Sequence, residues 1–367
     1  MTFNENVLKN DEKAVFELRS LYSKYGYAQF KMSKFEEYDL YVKNKDFLIS
    51  DSVITFTDTD GKLLALKPDV TLSIIKNYIP ESGQITKLYY NENIYRVSKG
   101  THSYKEIMQT GLECIGDIDI YNICEVLMLA GESLNTICEN WCLDISHMGV
   151  ISSVIDEFSV PDGIRSEIIR CVGEKNVHEI KAICAENGIS DKFAEKISSL
   201  VTLGGTSKEV VSRLKEICDC PAVEELEEIF GTLDASGYAD KINIDFSITN
   251  NMNYYSGVVF QGFVEGVPTG ILSGGQYDNL MKKMGKNCSA IGFAVYLDLI
   301  ERLSVKKNRH SVDAIILYSD KTPCKDILAA TKTLAEHGKS VIASKSIPQD
   351  TGYESLIDLT EKEGKKQ

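Results

Sequence analysis

The sequence predicts an α+β fold, a mostly antiparallel sheet flanked by helices and split in sequence by a helical insertion. Three observations carry that expectation. Short β-like runs lie at hairpin spacing before residue 116 and return after residue 242. Helical patterns alone fill 150–237 between them. A brief strand–helix–strand pattern closes the chain. With 367 residues, of which 43% are hydrophobic and 26% charged, the chain has room for two or three domains and a substantial core. The expected division is a core in two parts, 1–149 and 241–303, a helical insertion at 150–240, a linker at 304–311 and a short α/β unit at 312–367.

Taken in order, Asn10 or Asp11 can cap a helix whose apolar Ala14, Val15, Leu18, Leu21, Tyr22 and Tyr25 share one side, with Gly26 as its stop. Strand-like runs follow at 54–57, 62–66, 85–90, 94–97 and 107–115. Pro68-Asp69 opens a helix to Tyr78, proline being suited to an early helical position. A long apolar helix is expected at 119–138 and a strand at 141–147. In the insertion, Pro161, Gly173, Gly188 and Gly204-Gly205 punctuate the helices. Strands are expected again at 242–248, 254–263, 270–272 and 290–295, then a helix through Leu303. The last unit reads as strand 312–317, helix 322–337, strand 340–343 and a final helix at 353–363.

A net charge of -14 and a pI near 5.0 oppose broad affinity for nucleic acid, which needs clustered Lys and Arg. The ten cysteines are scattered, with no Cys-x-x-Cys pair and no His at ligand spacing from Cys218 and Cys220. That pattern fits reduced thiols in a cytoplasmic protein, with no metal and no cofactor expected. The first residues lack a basic stretch followed by an apolar run, and no segment reaches the ~20 apolar residues of a membrane span. No membrane partner is expected.

Several residues invite chemistry, and each has a plain structural alternative. Asp69 and Thr71 stand at a strand-to-helix transition, where an aspartate also serves as a cap. Arg96, on a strand, needs an anion, either a ligand or a structural carboxylate. Gln109 and Glu113 have even spacing and so share one face of a strand, where a carboxylate wants a donor. Asn250 to Asn253 precede paired aromatics, Tyr254 and Tyr255. Gly274-Gly275, close to Tyr277, suits a bulge or a close backbone approach to a ligand.

In series, these segments resemble the catalytic core of the class II histidyl-tRNA synthetases from residue 3 to 303. The signals are Leu-Lys-Pro-Asp-Val-Thr (66–71), Lys-Leu-Tyr-Tyr (87–90) with Tyr95-Arg96, and Gln-Thr-Gly-Leu-Glu (109–113). Asn-Tyr-Tyr-Ser-Gly-Val-Val-Phe (253–260), Ser-Gly-Gly-Gln-Tyr-Asp-Asn-Leu (273–280) and Ala-Ile-Gly-Phe-Ala (290–294) complete them. The resemblance implies a six- or seven-stranded antiparallel sheet and a dimer. It also implies a histidine pocket: Asp69 (Glu in the enzymes) and Thr71 on the ammonium, with Gln109 nearby, Glu113 and Tyr255 facing the imidazole, and Tyr277 lining the site.

The nucleotide half departs from the pattern. Arg96 stands where the α-phosphate is met, leaving a residual anion site. The adenine-facing Glu is Ser98, the following Arg-Pro is Lys99-Gly100, and the Arg-rich flap is Thr101 to Lys105. The two arginines that stabilise the reacting carboxylate and grip the γ-phosphate read Asn250 and Leu299. Losing such preorganised charge typically costs roughly 10²–10³ in rate per group. The motif-1 proline at the dimer interface is Ser33, which leaves the mode of dimerisation open. This combination resembles the ATP phosphoribosyltransferase regulatory subunits. That resemblance implies a protein that is not itself an enzyme, with a short-form catalytic subunit as partner and L-histidine as allosteric effector. A homodimer within a hetero-oligomer is expected, and tRNA is not expected among its partners. The alternatives are a diverged synthetase paralogue that still activates an amino acid and a sensor of uncharged tRNA.

Overall fold

The computed structural model describes residues 8–48, 53–79, 83–98, 101–205, 207–248, 254–303, 311–349 and 351–360. The chain forms two compact units, Met1–Leu303 and Ser304–Gln367. Among the described residues, the larger is built on an eight-stranded sheet. Its order is Ala28–Gln29, Thr86–Val97, Tyr104–Gly116, Ser289–Tyr296, Leu272–Gln276, Val258–Val264, Trp141–His147 and Ile242–Ile244. The central six are antiparallel, and the two short outer strands pair in parallel. The sheet is therefore mixed and larger than the six or seven strands expected. The runs expected at 85–90 and 94–97 form one strand, and 270–272 gives way to Leu272–Gln276.

Alternation along the strands sends two cores to opposite faces. Leu112, Cys114, Ile291, Phe293 and Val295 pack with helices Asn10–Lys24 and Ile120–Ile137, through Leu18, Tyr22, Val126, Leu127 and Ala130. Their neighbours in sequence, Ile115 and Ala290, join Tyr90, Ile94 and Tyr277 on the other face. There they meet Leu72, Ile74 and Ile75 of helix Thr71–Asn77. The first helix is capped one residue earlier than expected. Its N-cap is Lys9, whose N–H donates to Glu12 Oε2 at 2.9 Å, and Gly26, at φ +81°, follows its end.

Among the described residues, six α-helices, from Met148–Glu157 to Pro221–Leu233, run between Trp141–His147 and Ile242–Ile244. Their starts follow local chemistry: Asn176 and Ser190 accept from the N–H groups of Glu179 and Phe193, and Pro221 opens the last helix. A small antiparallel sheet of Phe35–Glu37, Leu63–Leu66 and Thr55–Thr57 delivers the chain to Lys67.

The second unit is a three-stranded parallel sheet with helix Cys324–Glu336. The helix expected at 353–363 is instead the strand Gly352–Asp358, paired with Ser311–Leu317 from Val312↔Tyr353 to Leu317↔Asp358. A short isolated helix is marginal because nucleation is costly, and an open strand edge offers every backbone group a partner. No helix among the described residues is long and apolar enough to cross a membrane.

Candidate functional site

The site begins where the small sheet meets the large one. Strand Leu63–Leu66 runs into Lys67, whose N–H donates to Lys34 O at 3.1 Å and whose carbonyl accepts from Tyr95 N–H at 2.8 Å. The Lys67 side chain is fully buried, with Nζ 2.8 Å from Glu92 Oε2. Burial pulls its pKa down while Glu92 opposes that shift, so removing either partner would strand a buried charge. Arg96 Nε donates to Pro68 O at 3.2 Å. The Lys67-Pro68-Asp69 turn is thus fastened to strand Thr86–Val97 at successive points. Asp69 Oδ1 accepts from Leu72 N–H at 2.9 Å, so the aspartate satisfies an N–H of the helix's first turn and faces the cleft at once.

Glu113 is the centre of the cleft. It is buried, accepting from Thr71 Oγ1 at 2.8 Å and from Tyr277 OH at 2.6 Å. Burial pushes its pKa up to about 8, against the lowering effect of those hydrogen bonds, and Asp69 adds to the rise. Asp69 is raised too, first by burial, while the Leu72 N–H and Arg96 oppose it. Two buried carboxyls favour a cationic or proton-donating guest. Space for the Glu113 carboxylate exists because its register partner is Gly292, where a Cβ would lie 1.8 Å from Oε2. Gly275 does the same for Tyr255, whose ring would meet a Cβ at 2.7 Å. Tyr254 stacks edge-on against Tyr255 (centroids 4.7 Å apart) and lies 5.9 Å from Tyr277.

Asp69, Thr71, Arg96, Gln109, Glu113, Tyr255 and Tyr277 all line this one cleft. Tyr90, Tyr254, Ser273, Gly292 and Tyr296 also line it and were not singled out from sequence as site residues. Even spacing from Gly292 and from Ala294 was the available signal for Tyr296. Arg96 is the one cation among the described lining residues. Leu299 lies in the 3-10 helix Leu297–Leu303 and packs against the main core, not in the cleft. Asn250, Lys99 and Gly100 fall outside the described residues. Ser98 and Ser103 close the hairpin, Ser98 N–H donating to Ser103 O at 2.9 Å. No group of His, Cys, Asp and Glu suited to a metal occurs among the described residues.

A family model described as histidyl-tRNA synthetase matches residues 3–300. The chain belongs to the histidyl-tRNA synthetase family. Relatives within reach of this family carry two different names. An ATP phosphoribosyltransferase regulatory subunit of Oceanobacillus iheyensis is 26% identical over 350 residues, covering 93% of this chain and 86% of that protein. A histidine–tRNA ligase of Methanocaldococcus jannaschii is 29% identical over 338 residues, covering 88% of this chain and 79% of that one. In structure, a chain of the ATP phosphoribosyl transferase (HisG:HisZ) complex from Thermotoga maritima superposes with a TM-score of 0.63 at 21% identity. The match covers 78% of this chain and 97% of that one. At such identity the likeness speaks to the histidyl-tRNA synthetase fold alone. Overall identity does not separate the two names, so the residues of the cleft must.

Proposed function

We propose that the chain is a non-catalytic regulatory subunit of ATP phosphoribosyltransferase. In this reading it binds L-histidine in the cleft and carries feedback control of the first step of histidine biosynthesis. The observation that supports this most is how little positive charge lines the cleft. Two carboxyls and a cluster of phenols meet a single guanidinium, Arg96, among the described lining residues. Free histidine complements that set. Its ammonium suits Asp69, its carboxylate suits Arg96, and its ring N–H and ring nitrogen suit Glu113 and Tyr255. A triphosphate, with several negative charges, finds far less to meet it. The name of the Oceanobacillus relative and the Thermotoga complex support an ATP phosphoribosyltransferase catalytic subunit as partner, and the proposed partner is of the short form. A homodimer within a hetero-oligomer in the cytoplasm is the assembly proposed.

A mixing assay tests the reading. A short-form catalytic subunit should be nearly inactive alone, gain activity with this chain, co-elute with it, and lose activity when histidine is added. Coupling between separate sites is typically about 1–3 kcal/mol, or roughly 5- to 150-fold in affinity. A catalytic subunit fully active alone, with no co-elution, would remove the regulatory role. One observation favours a second reading, a diverged synthetase: Arg96 still lines the cleft. On the regulatory reading histidine-dependent ATP–pyrophosphate exchange stays at background. Exchange well above it, abolished by Arg96→Ala, would establish the second.

A further inference from the structure

The floor of the cleft is stepped. Along strand Ser289–Tyr296, the residues on the Glu113 side are Ala290, Gly292, Ala294 and Tyr296. On the neighbouring strand, Gly275 and Ser273 stand in register beside Gly292 and Ala294. The space above the two glycines is taken by the Glu113 carboxylate and the Tyr255 ring, while Ala294 and Ser273 present only a methyl and a hydroxymethyl group, and the much larger Tyr296 stands next along the strand. That residue is in register with Gln109, four residues or roughly 13 Å of strand from Glu113. Its position is held twice: its N–H donates to Ile271 O at 2.8 Å, and its phenol oxygen lies 3.0 Å from Ser273 Oγ.

We propose that Tyr296 is the specificity-determining end wall of the cleft. It admits a free amino acid and turns away one extended at its carboxylate by a nucleotide. The inference rests on the reading of the cleft as a histidine site and deepens it. An imidazole seated at Glu113 directs the amino acid's carboxylate towards the Arg96, Gln109 and Tyr296 end. A group joined to that carboxylate must enter the space the ring fills. Selectivity of this kind comes from a steric barrier against the wrong ligand rather than from added attraction to the right one. It also separates two consequences of the lost charges, since discrimination against an adenylate would persist even at high salt, where phosphate attraction is weak.

The test is calorimetric titration of the full chain with L-histidine and with a non-hydrolysable sulfamoyl analogue of histidyl-adenylate. The quantity read is the ratio of their dissociation constants. Wild type is expected to bind the analogue at least about 100-fold more weakly than histidine, and Tyr296→Ala to shrink that ratio below about tenfold. Tyr296→Phe, which keeps the ring, should retain the exclusion. A wild-type chain that binds the analogue as tightly as histidine overturns the proposal. So does an unchanged ratio in a folded Tyr296→Ala, or a collapse of the ratio in Tyr296→Phe. Should Tyr296→Ala not fold, the wild-type and Tyr296→Phe ratios still decide. No histidine binding to wild type at all would instead remove the underlying reading of the cleft.

Discussion

Replacing Gly292 with valine is expected to abolish histidine binding, with a loss of more than ~100-fold, while the helical segment stays folded. Even a single added carbon at this position would sit 1.8 Å from Glu113 Oε2 and 2.4 Å from Leu112 O. The second of these is backbone within the sheet ladder and has little room to give. The carboxylate must therefore move, and its bonds from Thr71 and Tyr277 break with it. Each hydrogen bond lost from a buried group costs about 1–3 kcal/mol. Overpacking adds a destabilisation of about 1–3 kcal/mol, to be read in the denaturation midpoint. Calorimetry with L-histidine checks the result, and binding within about threefold of wild type would show that Glu113 is not the imidazole partner.

Glu113→Gln should have two effects that a merely structural residue would not combine. The first is on stability and has a definite sign. A carboxyl whose pKa is raised from 4.5 to about 8 in the folded chain holds a proton that the unfolded chain has released. Its contribution is fully present below about pH 4.5 and is lost as the pH climbs through about 8. The ligand-free wild type should lose up to ~5 kcal/mol across that window relative to the glutamine variant. Asp69, raised in the same direction, keeps its own slope in both proteins. Thermal midpoints measured from pH 4 to 9 for the pair of proteins test this, and parallel curves would refute it. The second effect is on the effector. With the ring partner altered, histidine affinity should fall by about 1–3 kcal/mol. Inhibition of the transferase complex should then be relieved at histidine concentrations that silence the wild type, while activation persists. If the variant chain no longer binds histidine yet the complex is still inhibited, the inhibitory site lies on the partner subunit.

Much of the site was legible before any coordinates because its signals are local. Even spacing put Gln109 and Glu113 on one strand face, and both line the cleft. Pro68-Asp69 marked the helix entry, where Asp69 accepts from the Leu72 N–H. The order of motifs was enough to name the family that matches residues 3–300. The terminal strand was misread as a helix because its pairing partner is some forty residues away, and propensity carries no record of that partner. The two-residue edge strand Ala28–Gln29 escaped for the same reason, whereas Ile242–Ile244 falls within the strand expected at 242–248.

By itself, then, the sequence determined the alternation that gives the sheet two faces, the punctuation of the helical insertion, and the presence of Asn and Leu at positions 250 and 299. Tertiary structure alone decided that Gly292 makes room for the Glu113 carboxylate, that Lys67 is buried against Glu92, that Leu299 turns into the core, and that Tyr296 lines the cleft. The division has a physical cause. Period and capping depend on neighbours within a few residues, which a sequence displays. Register, burial and the desolvation that lifts the Glu113 pKa depend on which distant strands lie side by side, and only the folded chain brings those together.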